Sequence, residues 1–232
     1  MKTTLKKNHL MQVNLFVPCL VDWHYPEIGK KAVFLLEKAG YKVAFDPKQV
    51  CCGRYAHLLG CKPLGDQSAK DWLVFFADLK SPLIFPDSAC YHFLSNHWLS
   101  LDWSKSERVK LEYILNNCYE LSQFFLEHTK LNTTSSLGRI GAFVDSPISK
   151  ILSNSYPIPQ NKFNMVAQLS DVTPLFFKNV TNVVKKDFLI YLRSELLLDT
   201  FIDTDVALIK QLQETAKQVS SPLRILHFTE IN

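Results

Sequence analysis

Val13-Asn14-Leu15-Phe16-Val17-Pro18-Cys19, with Tyr25-Pro26-Glu27 behind it and Tyr41-Lys42-Val43-Ala44-Phe45-Asp46-Pro47 further on, decides the fold. The first run is short, apolar and closed by proline, the pattern of a buried strand. Pro26 suits the first turn of a helix, where its missing N–H costs nothing. Ile28, Ala32, Leu35, Leu36 and Ala39 then recur at helical spacing, and Gly40 is a good stop. Tyr41 to Phe45 is the next strand, ended by Asp46-Pro47. Strand, helix and strand with short joints predict a βαβ unit and a parallel sheet.

The same grammar continues outward. Asp66 is a candidate cap for a helix running to about Leu79, with Trp72, Phe75, Phe76 and Leu79 inward. Leu83-Ile84-Phe85 is a third strand, and Asp87 a cap for the helix after it. Helical patterns follow at 105–117 and 120–128. Residues 131–138, Leu131-Asn132-Thr133-Thr134-Ser135-Ser136-Leu137-Gly138, are polar and turn-rich and read as a linker. Strand signals then restart at 139–144, ended by Asp145-Ser146-Pro147. They recur at 163–167, at Phe188-Leu189-Ile190-Tyr191, and at Leu223-Arg224-Ile225-Leu226 after a long helix at 204–219.

A faint internal repeat supports two related halves. Leu15-Phe16-Val17 matches Ala142-Phe143-Val144, and Leu83-Ile84-Phe85 matches Leu189-Ile190-Tyr191, in the same order. The expected fold is α/β, with two pseudo-repeated halves of short, mostly parallel sheets flanked by helices. The first half covers residues 1–130 and the second 139–232.

Composition narrows the function classes. Of 232 residues, 47% are hydrophobic and 21% charged, an ordinary globular balance. No apolar run reaches the roughly 18 residues of a membrane span. The basic start, Met1 to Gln12, lacks the apolar core of a signal peptide, so a cytoplasmic setting is expected. The net charge is +4, with scattered lysines and no basic stripe carrying aromatics, so nucleic acid is not an expected partner. No Gly-x-Gly-x-x-Gly, phosphate loop or Gly-x-Ser-x-Gly elbow occurs.

The cysteines are the chemical signal. All six lie between Cys19 and Cys118, and all seven glycines between Gly29 and Gly141. In a reducing compartment such cysteines read as metal ligands or core thiols rather than disulfides. Cys19, Cys51, Cys52 and Cys90 each follow an expected strand. Ligands of parallel sheets bind along the carboxyl edge of the strands, so the four could converge there. Four soft thiolates suit an iron–sulfur cluster or a tetrahedral zinc. Adjacent cysteines disfavour the simplest zinc geometry, and Gly53 lets the backbone approach a cluster. Cys61 and Cys118 have no partners at sensible spacing and read as core or partly exposed thiols. His24 and His57 follow Cys19 and Cys52 at five residues and could reach the same edge, although loop histidines are the simpler reading. His92 and His97 are poorly spaced to share a metal. Asp22 and Asp87 read as turn or cap residues, and Trp23 and Tyr25 as core.

Pro18-Cys19, Tyr25-Pro26-Glu27, Cys51-Cys52-Gly53 and Ser88-Ala89-Cys90 together resemble the cysteine-rich (CCG) domain proteins. That family includes the iron–sulfur components of lactate- and glycolate-oxidising complexes and of heterodisulfide reductase. Ser221-Pro222-Leu223-Arg224-Ile225-Leu226-His227-Phe228-Thr229-Glu230 resembles the ending of the lactate-oxidising type. The resemblance implies two α/β halves and a 4Fe-4S type cluster on Cys19, Cys51, Cys52 and Cys90, beside Gly53. It also implies redox partners such as a dehydrogenase subunit or a ferredoxin-like protein, and a small 2-hydroxy acid as substrate of the complex. The second half departs from the family pattern. Asp145-Ser146 is followed by Pro147 rather than cysteine, and residues 172–186 hold no second Cys-Cys-Gly. The last ligand position falls near Ser194-Glu195-Leu196, again without cysteine. A cluster-free binding or assembly subunit, or one with zinc in the same place, is the alternative.

Overall fold

The computed structural model describes residues 11–128, 140–143, 163–166, 186, 188–195 and 198–230. The linker at 131–138, the Asp145-Ser146-Pro147 turn and residues 172–185 lie outside the described residues. The first sheet holds β1 (Gln12–Leu15), β2 (Lys42–Ala44), β3 (Leu83–Phe85) and β4 (Cys118–Glu120). Its order is β2-β1-β3-β4 and every pair is parallel. The second holds β5 (Ile140–Phe143), β6 (Phe163–Val166), β7 (Thr200–Asp203) and β8 (Arg224–His227). Its order is β6-β5-β7-β8, again all parallel. The two sheets therefore share one topology, and the pseudo-repeat is a property of the backbone.

The helices follow the apolar stripes. α1 (Cys19–His24) and α2 (Pro26–Lys38) connect β1 to β2, and α2 buries Ile28, Ala32, Leu35 and Leu36. α3 (Arg54–Leu58) and α4 (Lys62–Phe76) precede β3, and α5 (Ser88–His97) follows it. α6 (Lys105–Leu115) opens on a capping box in which Ser104 and Glu107 satisfy each other's backbone N–H. α7 (Leu121–His128) follows β4 directly, and α8 (Val206–Gln218) joins β7 to β8.

Three expectations change. Phe188-Leu189-Ile190 is helical and runs into a π turn over Tyr191–Glu195, not a strand. Phe188, Leu189 and Leu192 are buried while Ile190 is exposed, a helical rather than an alternating pattern. The strand that matches β3 is β7, so the position matching Cys90 lies in α8 rather than near Ser194. α4 begins at Lys62, four residues before Asp66, with Pro63 in its first turn. Asp66 is an interior residue paired with Lys62 at 2.5 Å, not a cap. Cys118 opens β4, an edge strand the pattern did not announce.

One core crosses both sheets. Val13, Leu15, Ile84, Phe124 and Phe125 of the first half cluster with Ala142, Ile202 and Phe228 of the second. Phe125 and Phe228 meet at 6.1 Å between ring centroids. Full burial of such side chains stabilises by about 1.5–3 kcal/mol each, so each half supports the other. A second core, with Phe16, Trp72, Phe76 and Phe85 at its centre, also contains Cys52, Cys90 and Cys118. Among the described residues no helix is long and apolar enough to cross a membrane.

Candidate metal centre

The carboxyl ends of β1, β2 and β3 lie on one edge because the strands are parallel. Pro18 ends β1 and caps α1, which makes Cys19 the first residue of that helix. Cys51 and Cys52 lie in the loop after β2, and Gly53 caps α3. Asp87 caps α5 by accepting from the Ala89 N–H at 3.2 Å, which places Cys90 in the first turn. Cys19 and Cys90 thus sit in the first turns of helices, where unpaired N–H groups and the helix dipole favour an anionic group, and Cys51 and Cys52 lie just ahead of the α3 cap.

Gly53 is required by shape. Its φ is +76°, and a Cβ added there would lie 2.8 Å from the Gly65 carbonyl oxygen and 2.9 Å from Ser68 Cβ. The tight turn aims the Gly53 N–H at Cys51 Sγ, 3.4 Å away.

The four sulfurs are neighbours. Cys52 donates to Cys90 at 3.3 Å, Sγ to Sγ, and Cys51 neighbours both Cys19 and Cys52. Those two thiols, with the Gly53 and Cys52 N–H groups, hold the Cys51 thiol far below its ordinary range. Cys19 is pushed up by Cys51 beside it, and burial adds to this. Cys52 is pushed up by its bonds to Cys51 and Cys90 and by complete burial. Cys51 is exposed, Cys19 half-buried, and Cys52 and Cys90 buried, so the group opens to solvent on the side of Cys51 and Cys19.

All six cysteines are free thiols. Cys61 is exposed at the cap of α4, and Cys118 is a buried core thiol whose pKa desolvation raises. Neither joins the group. His57 is turned away from the sulfurs. Its Nδ1 lies 3.2 Å from His97 Nε2 and its Nε2 lies 3.2 Å from Asp66. His24, Asp22 and His92 are exposed, as is Trp23, which the sequence pattern placed in the core.

The donor set fits a metal group in chemistry, being four thiols at one sheet edge. Among the described residues, no three His, Cys, Asp or Glu side chains surround one point as a cage for a single ion. A tetrahedral zinc with bonds of about 2.3 Å would hold its sulfurs roughly 3.8 Å apart, and a cluster that takes its thiolates on separate irons would hold them wider still, against the 3.3 Å between Cys52 and Cys90. The sulfurs are packed as neighbouring thiols.

Arg54, Asp205 and His227 are residues that sequence reasoning missed. Arg54 follows Gly53 and is buried. Burial works against its charge, but Asp205, Cys90 and Asp87 beside it favour the charged form and raise its pKa. Asp87 is pushed up to about 7 by burial and by Asp205, against the Arg54 charge and two N–H bonds. The place of Arg54, directly after the glycine of Cys-Cys-Gly, was its only signal in the sequence. Asp205 and His227 carried no local signal.

Residues 13–95 match a family model described as "CCG: Cysteine-rich domain". The chain is also similar to several proteins named lactate utilization protein A. It is 32% identical over 121 residues to that of Geobacillus kaustophilus, covering 52% of this chain and 50% of the relative. It is 34% identical over 121 residues to that of Shouchella clausii, with the same coverage. These matches span about half the length of the relatives. The relative from Geobacillus sp. strain WCH70 is 22% identical over 236 residues, covering 95% of this chain and 98% of the relative.

Proposed function

We propose that this chain is an iron–sulfur component of a complex that oxidises a small 2-hydroxy acid such as lactate. One cluster, of 4Fe-4S type, is held by Cys19, Cys51, Cys52 and Cys90. The observation that carries this reading is the convergence of the four thiols, from three loops, at one sheet edge. The relatives' name, lactate utilization protein A, supports the substrate class.

When bound, such a cluster accepts and returns single electrons. The chain's own residues supply the rest. Cys51, exposed and with its thiol shifted downward by its neighbours, is the first point of attachment. The Gly53 N–H donates toward sulfur, a bond that tunes potential. Phe16, Trp72 and Phe85 pack behind Cys52 and Cys90 and keep water from that side. The exposed Cys51 side is where a dehydrogenase or ferredoxin-like partner exchanges electrons. The division into a cluster-holding half (1–130), a linker (131–138) and a cysteine-free half (139–232) is part of the same proposal.

The lack of a single-ion cage among the described residues, and of cysteine in the second half, favours a second reading, a cluster-free assembly subunit. Visible spectra of anaerobically purified protein before and after dithionite separate the two. The proposal expects a broad absorption that bleaches on reduction and is lost in Cys51→Ser/Cys52→Ser. A colourless chain after reconstitution with iron and sulfide, carrying zinc or no metal, supports the second reading and overturns the first.

A further inference from the structure

The cysteine-free half holds the loop from which Cys90 projects. Asp87 Oδ1 accepts from Ala89 N at 3.2 Å in its own helix and from Val206 N at 3.3 Å, the first N–H of α8. The Ser88 N–H donates to the Thr204 carbonyl at 3.2 Å. His227 Nε2 lies 2.9 Å from the Pro86 carbonyl oxygen. The Thr229 N–H donates to His227 Nδ1 at 3.2 Å, which makes Nδ1 the acceptor and leaves Nε2–H to donate to Pro86. Three consecutive residues, Pro86 to Ser88, are thus each bonded to the second half, immediately before the turn that carries Cys90. All these groups are buried. Buried bonds of this kind are costly to leave unmade, so the geometry is strongly specified.

We propose that Asp87 and His227 are positioning residues that, with the Val206 N–H, fix Cys90 against Cys52, so the second half is retained to set the geometry of the first half's thiols. The consequence for metal binding rests on the reading of Cys90 as a ligand. The geometric claim does not, and the test keeps them apart.

The full chain with Cys19, Cys51, Cys61 and Cys118 changed to Ser contains only Cys52 and Cys90. The azo oxidant diamide links them: both thiols lose their protons, one S–S bond forms, and the oxidant takes up two electrons and two protons. The rate of linking reports how well Cys90 is held and needs no metal. Asp87→Ala and His227→Ala should each slow linking by about tenfold or more. Asp87→Asn and His227→Gln, which keep an acceptor and a donor, should restore it to within about threefold. Val206→Pro keeps the helix start, because proline is tolerated at the first helical position. It removes the N–H that reaches Asp87 and should also slow linking while circular dichroism and α8 helicity hold, whereas Val206→Ala, which trims the same buried side chain but keeps the N–H, should link at close to the unmodified rate. Wild-type linking rates in Val206→Pro and His227→Ala would overturn the proposal, whether or not the unmodified chain binds iron. Slowed linking in a chain that binds no iron would leave the positioning claim standing and sink the cluster.

Discussion

After β3 the chain reads Asp87-Ser88-Ala89-Cys90, and after β7 it reads Asp205-Val206-Ala207-Leu208. Both aspartates cap the helix that follows, Asp87 through the Ala89 N–H and Asp205 through the Leu208 N–H. Both sheets have the same strand order and the same parallel pairing. The third residue after each cap differs: Cys90 meets Cys52, whereas Leu208 packs with Leu189, Phe201 and Leu212. The comparison teaches that strand order, cap and helix are maintained by backbone bonding and apolar burial, which a leucine serves better than a thiol. Site chemistry can be exchanged on that frame without disturbing it. It also shows what the second half still contributes, since α8 and β8 bond the loop that carries Cys90.

The largest expected effect separates chemistry from folding. Cys51→Ser/Cys52→Ser should lower bound iron at least tenfold, because two of the four proposed ligands are lost. Iron analysis alongside thermal unfolding checks it, and a parallel fall in stability of several kcal/mol would blur the contrast between halves.

The matched positions invert next. Leu208→Ala should cost about 2–5 kcal/mol, as large-to-small changes in a core do, with iron retained by whatever remains folded. Cys90→Ala should remove iron and cost much less, about 1 kcal/mol. Denaturant unfolding with metal analysis on both variants reads the double dissociation. Iron loss in a folded Leu208→Ala would break the comparison.

Two glycines with positive φ sharpen the same contrast inside the first half. Gly53→Ala should cost more than the about 1–3 kcal/mol of the backbone conformation alone, because its Cβ would also collide with the Gly65 backbone. Gly40 has φ +91° and nothing within 4 Å of an added Cβ, so Gly40→Ala should stay near 1 kcal/mol. Equal losses would show that the contact with α4 is not tight.

The smallest effect concerns pH. Burial raises Asp203 to about 7. Its folded pKa lies above the unfolded value, so folding takes up a proton and stability falls as pH rises from about 4 to 7. Asn removes that titration and keeps an oxygen to accept from the Thr204 and Asp205 N–H groups. Asp203→Asn should therefore gain on the wild type as pH rises from 5 to 8 in urea unfolding. A difference that stays constant, or shrinks toward pH 8, would contradict the assignment. His227 has the opposite sign. Burial lowers it to about 4, so its contribution is lost as pH falls from about 6.5 to 4.

Much of the first half was legible. Proline and glycine punctuate β1, α2 and β2, and Cys51-Cys52-Gly53 announces a turn that brings two thiols to a strand end. The second half was less so. Phe188-Leu189-Ile190-Tyr191 is apolar without alternation, a run in which helix and strand cannot be separated by period. Burial of Arg54 and His227 could not be read, because it depends on contacts from distant parts of the chain. His227 meets a carbonyl 141 residues away, and Asp87 an N–H 119 residues away. Local pattern carries no information at that range.

The central claim is that the four converging thiols of the first half hold one iron–sulfur cluster. Iron and acid-labile sulfide per chain, measured on protein purified without oxygen, test it most directly. The account predicts iron and sulfide in equal amounts, about four of each per chain for a 4Fe-4S group, and none in Cys51→Ser/Cys52→Ser. Iron and sulfide absent from the wild type after reconstitution, or retained in that variant, would contradict it.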